Sequence, residues 1–493
     1  MIKELNLRAN PVSTTKSNYV FNLLLTIVNL IFPIISFPYA ARILGPVGIG
    51  KVQFITSFAQ YFALVAALGI PIYGIREIAK VQNDRERLNR TFSELTLIYV
   101  FTSVIISVVY LGVILIVDKF RVDQSSYIVS AGIILLGFSS IDWFYSGIER
   151  FKVIAVRSVI IKAISLLLLY LFVKKPSDVF TYLIINIFAL VGNNLISMLL
   201  VWKDVTFTTK ELNFIRHLKP LFFIFSTSLA SSMYTLLDVV ILGFLSDERA
   251  VGFYSAGVKL AKITIPFVTS LGVVAMPKIS FSLKEGDMSN FYNLLDKSFR
   301  FIAFISIPIA FGLFLLSHEA VVIFSGDKFL QATGVMRILS IMPIIIGFGY
   351  FFGIQILISS AKDKQMLISV TVGMIVSVVM NFLLIPFLNE IGAAIANIVS
   401  EVFVTLTYMY FVKKYFNFKV PYKSLWQALL SSIIFVPITI MSRYLIGNMI
   451  FHTVIAVVTC AISYAVIQQV FFKNELSVWV YEALIKKFKS IKQ

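Results

Sequence analysis

The stretch SNYVFNLLLTIVNLIFPIISFPYAA, residues 17–41, decides the fold class. It carries no Asp, Glu, Lys or Arg. At roughly 1.5 Å per residue, a helix of this length crosses the roughly 30 Å hydrocarbon layer of a bilayer. It lacks the period-two alternation of a barrel strand. Its polar residues Asn18, Asn22, Thr26, Asn29, Pro33 and Ser36 recur every three or four positions, which lines one helical face. The preceding residues are mostly polar, and this span is too long and too polar for a cleavable signal core. The expectation is that it stays as a first transmembrane helix.

The rest of the chain reads the same way. Of 493 residues, 58% are hydrophobic and 14% charged, mean hydropathy is +0.90, and Phe alone occurs 46 times. Such a chain has too few polar residues to cover a soluble surface. In lipid, only helices and closed barrels satisfy their backbone groups. Apolar runs separated by charged or Pro/Gly breaks predict fourteen spans, here numbered 1–14. They cover 17–41, 48–71, 92–117, 127–147, 154–173, 178–202, 218–245, 251–276, 299–317, 332–359, 365–386, 391–411, 425–446 and 450–471. The predicted fold is an all-α integral membrane protein.

Charge orients the spans. With both termini inside, the inner side holds 30 of the 43 Lys and Arg. The outer side holds Arg42, Lys51, Lys119, Arg121, Lys174, Lys175, Arg249, Lys328 and Arg443, and Lys162, Lys259, Lys262 and Arg337 lie within spans. This asymmetry places both termini in the cytoplasm. It also accounts for the net charge of +18 without nucleic acid as a partner. Every connection is short, so no loop houses a soluble catalytic domain. No metal-ligand spacing, nucleophile elbow, P-loop or dinucleotide fingerprint occurs, which argues against an enzyme, a self-contained ATPase and any cofactor. The single Cys460 forms no intrachain disulfide, and His217, His318 and His452 read as loop or interface residues.

An internal repeat divides the chain. Ile43-Leu44-Gly45 followed by Val47-Gly48 is matched by Ile241-Leu242-Gly243 followed by Val251-Gly252, each at the outer turn of a helical hairpin. Six spans separate them, which predicts two pseudo-symmetric six-helix lobes around a central cleft. The expected division is 1–203 for the N-terminal lobe, 204–217 for a cytoplasmic linker, and 218–411 for the C-terminal lobe. Residues 412–493 supply spans 13 and 14 and a basic tail. In span 7, Thr227, Ser231, Thr235 and Asp238 form a stripe. An offset of 198 sets Asn29 on Thr227 and Pro33 on Ser231. Two matched stripes fit a water-filled cleft, although small polar residues also cement helix contacts.

Charges within spans are costly and face a cavity or a partner. In span 8, Ser255, Lys259, Lys262, Pro266 and Thr269 share a stripe. Asp238 and Lys259 lie equally far from the turn at 246–250, at about 10–15 Å depth, and are expected to pair. Glu401, near the middle of span 12 with Asn397, Thr405 and Tyr408 on its face, is the candidate proton or cation site. Lys162, in span 5, either faces the cleft or snorkels inward. Arg337 lies near enough to the outer end to snorkel.

Three motifs resemble a known family. Arg42-Ile-Leu-Gly-Pro-Val-Gly-Ile-Gly enters span 2. Asp142-Trp-Phe-Tyr-Ser-Gly-Ile-Glu-Arg-Phe-Lys leaves span 4. Asp238-Val-Val-Ile-Leu-Gly is followed by Val251-Gly-Phe-Tyr-Ser-Ala-Gly-Val-Lys-Leu. Together they are similar to bacterial polysaccharide flippases of the Wzx type, in the multidrug/oligosaccharidyl-lipid/polysaccharide exporter superfamily. The resemblance implies two lobes, alternating access and drive by a proton or sodium gradient. It implies an oligosaccharide on undecaprenyl pyrophosphate as cargo, moved from the inner to the outer leaflet of the bacterial plasma membrane. Membrane lipids, a polysaccharide polymerase and a chain-length regulator are the implied partners. Lys259, Lys262 and Lys162, with Arg42 at the outer mouth and Asn29 and Asp238 in the cleft, would meet the pyrophosphate and sugar. Glu401 and Asp238 would couple the ion.

Neighbouring readings stay open. A multidrug exporter of the same superfamily would need acidic residues for cationic drugs, whereas the lysines expected to be buried, Lys162, Lys259 and Lys262, outnumber the candidate carboxylates Asp238 and Glu401. A lipid II flippase is a near relative. A membrane glycosyltransferase or polymerase would need a long outer loop with Asp or Glu, which is absent.

Overall fold

The computed structural model describes residues 15–473, with the side chains of 15–19, 227, 230, 231 and 233–236 outside the description. All regular structure among the described residues is helical, and eleven stretches are long and apolar enough to cross a membrane. Two are too long for one crossing. Thr15–Ala67 has 53 residues, which at 1.5 Å each is about 80 Å. It breaks at Gly45, with φ 70° and ψ −179°. A positive φ costs glycine nothing, and Pro46 drives its predecessor extended. The Arg42–Gly48 motif therefore encodes the break between predicted spans 1 and 2.

Asp363–Tyr415, also 53 residues, breaks at Asn389, with φ 46° and ψ −124°. Asparagine tolerates positive φ better than most residues that carry a Cβ. This break separates predicted spans 11 and 12. Some helix starts carry a side-chain cap. Asp84 accepts from the Arg87 amide at 3.1 Å and Asp247 from the Ala250 amide at 2.7 Å. The chain leaves the helical path at Leu68-Gly69 and resumes at Ile70-Pro71. In the second half it breaks at Thr264 and resumes at Ile265-Pro266. Proline in a first turn lacks only an N–H that the turn leaves unbonded.

The chain forms two compact units, Met1–Ser232 and Met233–Gln493. Their division falls inside the helix Ile215–Leu245, beyond the expected linker 204–217. In the first unit, Trp143, Phe144, Phe92 and Tyr73 form the core at the Asp142 motif. A Cβ on Gly74 would stand 2.5 Å from the Trp143 ring, so only glycine allows that approach. In the second unit, Tyr422–Leu445 and Met449–Val470 pack on the helix Met288–Leu315 through Phe435, Cys460 and Tyr464. The Tyr464 hydroxyl donates to the Phe304 carbonyl at 2.9 Å. Arg443 grips the buried Glu319 with Nε at 2.6 Å and Nη2 at 2.9 Å.

Candidate functional site

Asp238 is the centre of the second unit's polar interior, with 1% of its surface exposed. Four neutral donors hold it. The Tyr254 hydroxyl and the Asn397 amide reach Oδ2 at 2.7 Å each. The Asn381 amide reaches Oδ1 at 2.8 Å and the Ser377 hydroxyl at 3.2 Å. Tyr254 comes from Glu248–Ile263, and the other three from the two arms of Asp363–Tyr415 on either side of Asn389. Hydrogen bonds to a charged acceptor are the strong ones, and here they stabilise a buried carboxylate without cancelling its charge. The Oδ1 atoms of Asn381 and Asn397 are buried and have no hydrogen-bond partner among the described residues. A half-turn of either carboxamide exchanges its amide for that oxygen. One carboxylate and two carboxamide oxygens are the donor set of a hard cation.

Glu401 lies one helical turn beyond Asn397 on the same arm. Asn397 thus ties this arm to Asp238. Lys259 is half-buried one turn before the exposed Lys262.

In the first unit, Lys162 donates to Asn29 Oδ1 and its ammonium sits 5.7 Å from the centre of the Phe32 ring. That contact joins two residues expected to line a cleft. Arg42 is exposed and donates to the Pro38 carbonyl at 3.2 Å, within its own helix. Arg337 is exposed and reaches the Ser317 hydroxyl at 3.2 Å. The side chains of Asn18, Thr227, Ser231 and Thr235 lie outside the described residues.

The pattern of the family described as polysaccharide biosynthesis protein matches residues 16–282, more than half of the chain. The chain belongs to this family. The MatE pattern also matches, over residues 224–383. The "Putative O-antigen transporter" of Escherichia coli (strain K12) is 24% identical over 390 residues, 78% of this chain and 93% of that protein. The "Probable low-salt glycan biosynthesis flippase Agl15" of Haloferax volcanii is 22% identical over 258 residues, covering 50% of this chain and 54% of its own length. Among solved structures, a lipid II flippase MurJ in an inward closed conformation superposes with a TM-score of 0.76. It is 16% identical over 93% of this chain and all of that one. A multidrug resistance MATE family transporter follows at 0.61, with 14% identity over 80% of this chain and 97% of that one. The resemblance to Wzx-type flippases is borne out, and the fold is that of the MurJ and MATE proteins. This family member is a multi-pass helical membrane protein.

Sequence reading missed several residues of these polar interiors. Asn381, Ser377 and Tyr254 were passed over because lone polar residues within apolar runs are common. Arg157, inside predicted span 5, is 3% exposed and bound to Asp142 and, at 2.7 Å, to Asn193. Glu94, inside predicted span 3, is fully buried. A carboxylate within an apolar run was the available signal. An apolar pocket of about 600 Å³ in the second unit, lined by Phe304, Pro308, Phe435, Cys460 and Tyr464, contains none of the charged candidates.

Proposed function

We propose that this protein is a flippase that carries undecaprenyl-pyrophosphate-linked oligosaccharide units from the inner to the outer leaflet of a bacterial plasma membrane. Fourteen spans with both termini cytoplasmic, two six-helix lobes and ion-coupled alternating access complete the reading. Its main support is family membership together with a relative named for O-antigen transport that is matched over 93% of its length. The physics agrees. An anionic pyrophosphate cannot enter hydrocarbon without compensating charge. Lys262, Lys259 and Lys162, with Asn29 beside Lys162 and Arg42 at the outer mouth, are assigned to the head group and first sugars. The apolar pocket beneath Phe435 and Tyr464 has the chemistry to hold prenyl tail.

Asp238 with Asn381 and Asn397 is assigned to a coupling cation, sodium or a proton, and Glu401 to the same coupling role. The donor set and the two unpartnered carboxamide oxygens support that assignment. The test has two arms. A deletion strain should accumulate lipid-linked oligosaccharide on the inner leaflet, and mass analysis of that lipid names the cargo. Purified protein in liposomes should move fluorescent undecaprenyl-linked sugar under an imposed sodium or pH gradient. Normal surface polysaccharide in the deletion strain, or accumulation of lipid II instead, would reject the reading.

A further inference from the structure

We propose that the second unit holds an anionic glycerophospholipid of the surrounding leaflet, with an acyl chain in an apolar groove floored by Phe299 and Phe352 and its phosphate against Lys413, Lys419 and Lys423. This lipid is a resident of the protein and not its cargo, so the proposal stands apart from the transport reading.

The groove has a volume of about 240 Å³ and shares no lining residue with the larger pocket beneath Phe435 and Tyr464. Its floor, with Phe299, Phe352 and Ile345, is buried, while Leu406, Met409 and Tyr422 on its rim are exposed. A lipid tail can therefore enter from the side without leaving hydrocarbon. The Thr405 hydroxyl on its wall donates to the Ile345 carbonyl at 3.3 Å, which leaves that wall apolar. Val402, Leu406 and Met409 recur along one face of the helix Asp363–Tyr415, beyond its break at Asn389. They cover about 10 Å at 1.5 Å per residue, which fits within the roughly 15 Å that one leaflet contributes to the hydrocarbon layer.

Positive charge gathers at one end of this row. Lys413 continues it, one turn beyond Met409. Lys419 and Lys423 flank the lining residues Val420 and Tyr422, and all three lysines are exposed. The segment that carries them is fixed beside the groove. The Asn417 amide donates to the Tyr292 hydroxyl at 3.2 Å, and the Phe418 ring centre lies 6.0 Å from that of Phe299 and 5.3 Å from that of Phe351. No Asp or Glu occurs from 402 to 474, and Asp296, one turn before Phe299, is paired with Arg300 at 2.6 Å. Lysines at span ends orient many membrane proteins, and an apolar groove alone names no occupant. Together they have the two parts of a phospholipid, a tail slot within the leaflet and cations at its surface. Each such cation strengthens binding of an anionic head group by about 1 kcal/mol, or roughly fivefold, whereas a zwitterionic head group carries no net charge to attract.

The test titrates full-length protein, stripped of lipid in a non-ionic detergent, with phosphatidylglycerol and with phosphatidylcholine of identical chains. Bound lipid is counted by mass spectrometry of the intact protein. Phosphatidylglycerol should bind at least about tenfold more tightly. Lys413→Gln, Lys419→Gln and Lys423→Gln should each weaken it by about fivefold and together by about 100-fold, while arginine at the same positions keeps it. Leu406→Trp, on the exposed rim, fills the groove and should weaken both lipids by about tenfold. Thermal unfolding without lipid checks that each variant is folded, and the single substitutions decide the matter if the triple variant is not. Equal affinity for the two lipids, native binding by the lysine variants, or native binding by Leu406→Trp would overturn the proposal. So would displacement of phosphatidylglycerol by an equal concentration of undecaprenyl phosphate, which would make the groove a carrier-lipid site.

Discussion

Replacing Asp238→Asn tests the candidate ion site directly. In the native protein each carboxylate oxygen takes two donors, three of them at 2.7–2.8 Å. The variant turns one oxygen into an amide, so two buried donors face a donor. Each bond to a charged acceptor contributes about 1.5–3 kcal/mol. The Tyr254 hydroxyl can reverse to accept, or the Asn397 carboxamide can turn, so one of the two is recovered. The net loss should be about 2–3 kcal/mol without added sodium. Sodium at ten times its Kd should add about 1.4 kcal/mol to the native protein and nothing to the variant. Equilibrium unfolding of purified protein, in sodium and in choline at equal ionic strength, measures both. The reasoning is refuted if Asp238→Asn unfolds with the native protein and keeps a sodium-dependent gain.

The other expectations concern separate parts of the molecule. Lys262→Ala should lower transport of the fluorescent lipid-linked sugar by about tenfold, a single lost charge-assisted contact, while Lys262→Arg keeps part of it; native rates for Lys262→Ala would remove this residue from the site. Burial raises the Glu319 carboxyl, but the hydrogen bonds and charge of Arg443 outweigh that and hold it below the ordinary glutamate range. Its folded-state value is thus depressed, so its stabilisation is present above the unfolded value and fades as pH falls through the folded one. Arg443→Met should therefore cost about 1–3 kcal/mol at neutral pH, and the gap to the native protein should narrow in acid unfolding curves. Gly69 has φ +77°, and a Cβ there would meet the Phe225 backbone nitrogen at 2.9 Å. Gly69→Ala should destabilise by more than about 1 kcal/mol in thermal unfolding, whereas Gly112→Ala, with open space around it, should be neutral or stabilising. Reporter fusions at residues 85, 122, 210 and 290 should read inside, outside, inside and inside, and an outside signal at 210 or 290 would break the topology.

The sequence by itself determined the solvent, the secondary structure and several of the breaks. Apolar runs long enough to span hydrocarbon admit only helices there. Gly45-Pro46 interrupts the helix through constraints confined to two residues. The motifs around Arg42, Asp142 and Asp238 carried the family. Depth along a helix is also legible, which is how Asp238 and Lys259 are set at one level of the membrane. Tertiary structure alone decided the partners. Asp238 takes hydrogen bonds from Tyr254, Ser377, Asn381 and Asn397, the last three more than 130 residues away. Glu94 and Arg157 look like charges at span ends, yet packing buries both and binds them to groups distant in sequence. Helical periodicity fixes which residues share a face. Which face meets which neighbour is set by close packing among many helices, and no local pattern encodes that choice.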